Sequence, residues 1–166
     1  MEELIVKLIV MDVDGTLTDG RIYIGPGGEA MKSFSVHDGL RIKQMRSVGV
    51  VTGIITGRDS EIVNRRAVEI GIVEIHKGIS EKPPVLEALM AKYGLGPEQT
   101  AFVGDDENDL ACLELVGHRA CPANAAPRVK AVCDFVSTRP GGEGAVREYL
   151  DHLIACGLIP VPADRF

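Results

Sequence analysis

The chain has 166 residues, 45% hydrophobic and 25% charged, enough to bury a core without staples and too apolar for a disordered or low-complexity chain. Twenty-four acidic residues against 18 basic ones leave a formal net charge of −6, so no global field draws it to nucleic acid or to an anionic membrane. Aromatic residues make up 4%, with no Trp, which leaves little material for a base-stacking platform.

The length suits one domain, read as residues 1–166. Glu2 and Glu3 stand where a secretory leader would be basic, and there is no run of 18 apolar residues. A cytoplasmic protein without membrane partners is expected. Cys112, Cys121, Cys133 and Cys156 form no C-x-x-C pair, and small buried hydrophobes in a reducing compartment are the expected roles.

In chain order, an apolar run at Leu4–Met11 predicts the first strand. Residues 20–36 then break the rhythm: Arg21–Ile24, Gly25-Pro26-Gly27-Gly28 and Glu29–Val36 read as an inserted β-hairpin. Ile42, Met45 and Val48 start a helical stripe, followed by a strand at Val50–Ile55. Val63, Ala67 and Ile70 make a second stripe before a strand at Ile72–Ile75. Pro83 and Pro84 open a helix carrying Leu86, Leu89, Met90 and Tyr93. Strands follow at Thr100–Val103, Arg119–Cys121 and Phe135–Val136, and a last helix carries Val146, Tyr149, Leu150, Leu153 and Ile154. Gly49, Gly71, Gly94, Gly117 and Gly157 each follow a predicted helix, where a left-handed cap is wanted. Most strands lack two-residue alternation, as strands covered on both faces do. The fold class is α/β: a Rossmann-like doubly wound parallel sheet flanked by helices, with a β-hairpin inserted after its first strand.

Chemistry gathers at the strand ends, where open parallel sheets bind their ligands. Asp12-Val13-Asp14-Gly15-Thr16-Leu17-Thr18-Asp19 follows the first strand. Two carboxylates there repel and resist desolvation, and a divalent cation relieves both costs. Val103-Gly104-Asp105-Asp106-Glu107-Asn108-Asp109 closes a later strand with four acidic residues in five positions. Asp105 is the candidate metal ligand there, and Asp109, one turn on, would orient a metal-bound water or a neighbouring ligand. Asp106 and Glu107 also suit a helix start on charge alone. Thr56 ends another strand and would hold a phosphate, or merely cap a helix. Lys82 alone reads as a solvated lysine before a helix. His76, His118 and His152 are scattered, Arg65 reads as a solvated helix face, and Gly141–Gly144 as a flexible turn.

Taken together, Asp12-x-Asp14-Gly15-Thr16, the strand-end Thr56, Lys82 before a helix and Gly104-Asp105-Asp106-x-x-Asp109 resemble, in that order, the haloacid dehalogenase superfamily. Asp19-Gly20, the Gly-rich hairpin, Val36-His37-Asp38-Gly39, Thr56-Gly57-Arg58, Arg65-Arg66 and Gly141 to Glu148 narrow the resemblance. They are similar to the family of phosphatases acting on 3-deoxy-D-manno-octulosonate 8-phosphate, over nearly the whole chain. The resemblance implies the subclass without a cap domain, assembled as a homotetramer through its hairpins, and a role in lipopolysaccharide biosynthesis. It also implies that the tail after Gly157, about 157–166, reaches a neighbouring active site.

By that resemblance Asp12 is the nucleophile, Asp14 the general acid and base, and Thr56 and Lys82 hold the transferring oxygens. Mg²⁺ is the implied cofactor, held by Asp12, Asp14 through its backbone carbonyl, and Asp105. Substrate contacts are implied for Ser35, Val36, His37, Asp38, Gly39, Lys43, Arg58, Arg66 and Lys82, the partner being a phosphorylated sugar acid. His37 and Lys43 stand where many relatives carry Arg, and Lys does not replace a bidentate Arg. Phosphatases for nine-carbon, sialic-acid-type sugar 9-phosphates tend to carry Glu in place of Arg58, so Arg58 points to the eight-carbon sugar. Two non-catalytic readings stay beside these: a receiver-like module that keeps its phospho-Asp, and a degenerate domain retained for assembly.

Overall fold

The computed structural model describes residues 5–163. In chain order its elements are β1 (Leu8–Met11), β2 (Tyr23–Gly25), β3 (Gly28–Met31), α1 (Val36–Met45), β4 (Val51–Ile55), α2 (Glu61–Glu69), β5 (Glu74–His76), α3 (Lys82–Tyr93), β6 (Thr100–Val103), α4 (Leu110–Leu115), β7 (His118–Cys121), α5 (Pro127–Val132), β8 (Phe135–Val136) and α6 (Ala145–Ala155). Six strands form one parallel sheet in the order β5-β4-β1-β6-β7-β8. The chain builds outward from β1 to β5, then returns to the other side of β1 with β6. The crevice at that reversal, between β1 and β6, is where such sheets bind ligands.

Strand β1 is buried on both faces, and its side chains alternate between two cores. Ile9 and Met11 pack with Ile42, Val63, Ala67 and Leu150 under α1, α2 and α6. Leu8 and Val10 pack with Leu86, Phe102, Leu113 and Val129 under α3, α4 and α5. This sandwiching explains the absent period-two pattern. Met11 pairs with both Ile54 and Val103, so β4, β1 and β6 end level and deliver their next residues to one edge.

Local chemistry sets the helix starts. The Ser35 hydroxyl accepts the amides of His37 (3.2 Å) and Asp38 (3.3 Å), and Ser60 accepts that of Val63 at 3.3 Å. The first cap corrects the hairpin boundary. With Ser35 committed to capping, Val36 opens α1, and the hairpin ladder stops at Met31. Likewise β5 begins at Glu74, because the Ile72 amide bonds back to Ala67 O at 2.9 Å. Gly49, Gly71, Gly94 and Gly157 have positive φ, but Gly117 does not. A Cβ on Gly117 would lie 2.8 Å from Pro97 O, so close approach calls for that glycine. Leu4 and residues 164–166 lie outside the described residues. The start of the tail is anchored, with Ile159 buried and Leu158 O accepting from Val6 N at 3.1 Å. Among the described residues no helix is long and apolar enough to cross a membrane.

A polar knot secures the sheet edge at β5. Glu74 is buried and accepts from Lys92 Nζ and from Tyr93 Oη at 2.5 Å, with His76 Nε2 at 3.1 Å. Burial pushes its carboxyl up, but these partners outweigh burial and hold it down at about 2, against an ordinary 4.5. Its stabilising contribution is therefore full above pH 4.5 and fades as pH falls toward about 2. Glu74→Gln should lower stability near neutral pH by about 1–3 kcal/mol. In urea unfolding, the gap between variant and wild type should close on acidification through that window. A gap independent of pH would overturn this account.

Candidate active site

The loop after β1 is held open by three backbone devices. Asp12 N donates to Val103 O at 2.9 Å, tying the loop to β6. Thr18 Oγ1 accepts the amides of Gly15 (3.2 Å) and Gly20 (3.1 Å), which curls the segment. Gly15 has φ 91°, and a Cβ there would lie 2.0 Å from Asp105 Oδ2. Its missing side chain is the space the Asp105 carboxylate occupies. Gly141 meets the same loop from the other side: a Cβ on it would lie 1.8 Å from Gly15 O, and Gly142 N donates to Thr16 O at 3.2 Å. The Gly141–Gly144 segment is thus a close backbone buttress for the aspartate loop, not the flexible turn its composition suggested.

Carboxylate oxygens of Asp12, Asp105 and Asp109 lie within 4.8 Å of one another. Lys82 is buried among them, with Nζ 2.8 Å from Asp12 Oδ1 and 2.8 Å from Asp109 Oδ1. At 3% side-chain exposure it is not the solvated lysine that its sequence position alone suggests. Asp109 turns its other oxygen to the amides of Asp105 (3.0 Å) and Asp106 (3.3 Å). Thr16 Oγ1 donates to Asp105 Oδ1 at 3.0 Å. Burial, then the neighbouring Asp12 and Asp109, push the Asp105 carboxyl far up; burial and Asp12 push Asp109 up. Burial lowers Lys82, but Asp12 and Asp109 outweigh it and raise it. One ammonium against three carboxylates leaves excess negative charge in a buried, all-oxygen site. A hard divalent cation fits that donor set.

A cleft of about 350 Å³ opens over these groups. Of the residues singled out by sequence, Asp12, Asp14, Thr56, Arg58 and Asp105 line it. Thr56 is 1% exposed, its amide held by His76 O at 2.9 Å. The Asp14 carboxylate stands apart from the three-carboxylate cluster and accepts from Lys32 Nζ at 2.5 Å. The Arg58 guanidinium, 47% exposed, pairs with Glu29 at 3.2 Å.

The other substrate candidates lie away from this cleft. Asp38 is buried and accepts the Arg147 amide at 2.8 Å, tying α1 to α6. Arg66 bonds Ser35 O (3.2 Å) and Glu69 (2.9 Å) and sits over the Phe34 ring. Gly39 gives that guanidinium room, since a Cβ there would lie 2.3 Å from it. Val36 and Lys43 are exposed, and His37 lines a separate surface groove with Arg139 and Arg147. Ile22, Asn108, Lys32 and Glu29 escaped the sequence reading. Lys32 and Glu29 sit in a short exposed ribbon, where charged residues are ordinary, and only the fold turns them toward Asp14 and Arg58.

Comparison with known proteins accords with this geometry. Residues 58–150 match a family described as haloacid dehalogenase-like hydrolases. The chain is 40% identical over 149 residues to 3-deoxy-D-manno-octulosonate 8-phosphate phosphatase of Salmonella typhi, covering 90% of this chain and 79% of the relative. The phosphatase of that name from Moraxella catarrhalis, solved with magnesium ion, phosphate ion and a KDO molecule, superposes with a TM-score of 0.87 at 39% identity, covering 90% of this chain and 86% of that one. A cobalt-bound deoxy-D-mannose-octulosonate 8-phosphate phosphatase from Haemophilus influenzae gives 0.88 at 39% identity, covering 92% and 89%. The chain belongs to the haloacid dehalogenase-like hydrolases. Within that class it is a phosphoric monoester hydrolase.

A divalent cation bound only by the folded chain should raise the melting temperature, and the increment should grow logarithmically with its concentration above the dissociation constant. Asp105→Asn removes one of the converging carboxylates and should abolish most of that increment in a thermal scan with and without MgCl₂. An undiminished increment in the variant would place the cation elsewhere.

Proposed function

We propose that the protein is a Mg²⁺-dependent phosphatase that hydrolyses 3-deoxy-D-manno-octulosonate 8-phosphate through an aspartyl-phosphate on Asp12. The observation that carries this reading is the Asp12–Asp105–Asp109 cluster, with buried Lys82 between Asp12 and Asp109, in a chain 40% identical to a phosphatase of that name. Asp12 attacks phosphorus, forming the Asp–O–P bond as the P–O bond to the sugar breaks. Asp14 gives the leaving alkoxide a proton, then takes one from the water that attacks the phosphorus and frees Asp12 and inorganic phosphate. Lys82 and Thr56 bind the transferring oxygens. Asp12, Asp105 and the Asp14 backbone carbonyl hold the Mg²⁺, with Asp109 orienting Lys82 and the loop amides. When bound, that ion screens carboxylate–phosphate repulsion and orients the phosphoryl group.

Arg58, at the cleft mouth, takes the sugar's carboxylate in a bidentate grip. Ser35, Val36, His37, Lys43 and Arg66 contribute to substrate recognition at the contact between subunits, while Asp38 and Gly39, both buried, act only by holding α1 against α6 and Arg66. The hairpin supports that assembly: Tyr23, Ile24 and Met31 are 42%, 67% and 56% exposed, more apolar surface than an unpartnered ribbon normally offers water. We place residues 1–166 in one hydrolase domain, working in the cytoplasm as a homotetramer.

Phosphate release should require a divalent cation and favour the eight-carbon octulosonate ester over nine-carbon sialic-acid-type 9-phosphates in a substrate panel. Asp12→Asn should reduce it by about 10³-fold or more; an active variant would remove Asp12 from the nucleophile's role. In sedimentation velocity the wild type should run as four subunits and Ile24→Asp as a smaller species. A tetramer that ignores Ile24→Asp would place the contact elsewhere.

A further inference from the structure

Among the described residues, Lys32 is a cation with a buried side chain beside the cleft that the mechanism above leaves unused. It follows directly on β3, yet its side chain is 0% exposed. Its ammonium reaches Asp14 Oδ1 at 2.5 Å and Glu29 Oε2 at 3.4 Å. Glu29 in turn accepts from Arg58 Nε at 3.2 Å and from the Ser60 hydroxyl. A fully desolvated ammonium is costly unless its partners are fixed. Here one partner is pinned by Ser60 and Arg58, and the other is the carboxylate assigned to proton transfer. Asp14 is carried on a loop whose shape comes from glycines and a Thr hydroxyl, and loop geometry alone leaves its side-chain torsions free. With Oδ1 held by Lys32, Oδ2 accepts no hydrogen bond among the described residues and is left to meet the substrate.

We infer that Lys32 is a positioning residue: from the hairpin it fixes the Asp14 carboxylate so that its free oxygen faces the leaving group, with Glu29 anchoring Lys32. This rests on the phosphatase reading and deepens it, because it makes the hairpin part of the proton-transfer apparatus. The chemistry separates this role from a merely structural one. An alkyl phosphate expels an alkoxide that needs a proton as the P–O bond breaks. A p-nitrophenyl phosphate expels a stable phenolate that does not. Since kcat/KM reports the steps up to departure of the leaving group, misplacing the acid lowers it for the first ester and spares the second.

The experiment compares kcat/KM of wild type, Lys32→Met and Lys32→Arg, each loaded with Mg²⁺, on a sugar alkyl phosphate and on p-nitrophenyl phosphate. Lys32→Met should lose about 10²-fold on the alkyl ester and less than about 5-fold on the aryl ester. Lys32→Arg, which keeps the charge, should recover part of the alkyl activity. Equal losses on both esters, or no loss on either, would overturn the role. Should Lys32→Met fail to fold, the same asymmetry, smaller, is required of Lys32→Arg, and its absence there overturns the inference equally. A wild type that cleaves neither ester would instead remove the phosphatase reading on which this rests.

Discussion

The organising constraint is the crowding of like charge at the reversal point of the sheet. Strands β1 and β6 end side by side because Met11 pairs with Val103, with Asp12 next after the first and Asp105 one glycine beyond the second. Asp12 and Asp109 are buried and Asp105 half-buried beside them, with a single ammonium, that of Lys82, between Asp12 and Asp109. Such a cluster resists folding on its own. A further positive charge would offset that cost, and a donor set of carboxylate oxygens suits a hard divalent cation. Lys82 offsets part of that repulsion, and its own burial is tolerable only because Asp12 and Asp109 flank it.

Backbone proximity is the second requirement. The aspartates converge only because chain segments approach more closely than any side chain allows. Gly15 vacates the volume that the Asp105 carboxylate fills, and Gly104 makes room for Asp109, whose Cβ would otherwise lie 2.6 Å away. Gly141 and Gly142 press the far end of the chain against the carbonyls of the aspartate loop. The loop is therefore gripped from β6 on one side and from the segment before α6 on the other. This converts a glycine-rich, intrinsically mobile stretch into a rigid platform.

The hairpin carries two surfaces with different tasks. Its apolar residues Tyr23, Ile24 and Met31 face outward, while Glu29 and Lys32 turn inward to Arg58, Ser60 and Asp14. Plain alternation does not sort them, since Ile24 pairs directly with Glu29 and the register shifts between Tyr23 and Ile24; the inward side chains are those with polar partners on the main domain.

Much of this was legible from residues alone. The buried strands, the flanking amphipathic helices and the parallel order follow from apolar runs alternating with 3.6-residue stripes, a local signal. Asp12, Asp14, Thr56 and Asp105 are visible because each lies within three residues of a strand's carboxyl end, and the ends of parallel strands share one edge. Element boundaries at Val36 and Glu74 were not, because a capping hydroxyl and a single backbone hydrogen bond decide them. Residue order is enough for the class of sheet and the kind of chemistry at its edge. Packing is what makes Lys82 a buried ion-pair partner and not a solvated lysine, brings Asp109 into the carboxylate cluster, and carries Lys32 to Asp14. Those contacts span 70, 27 and 18 positions, and a charge's partner across such distances is set by packing, which no local pattern encodes.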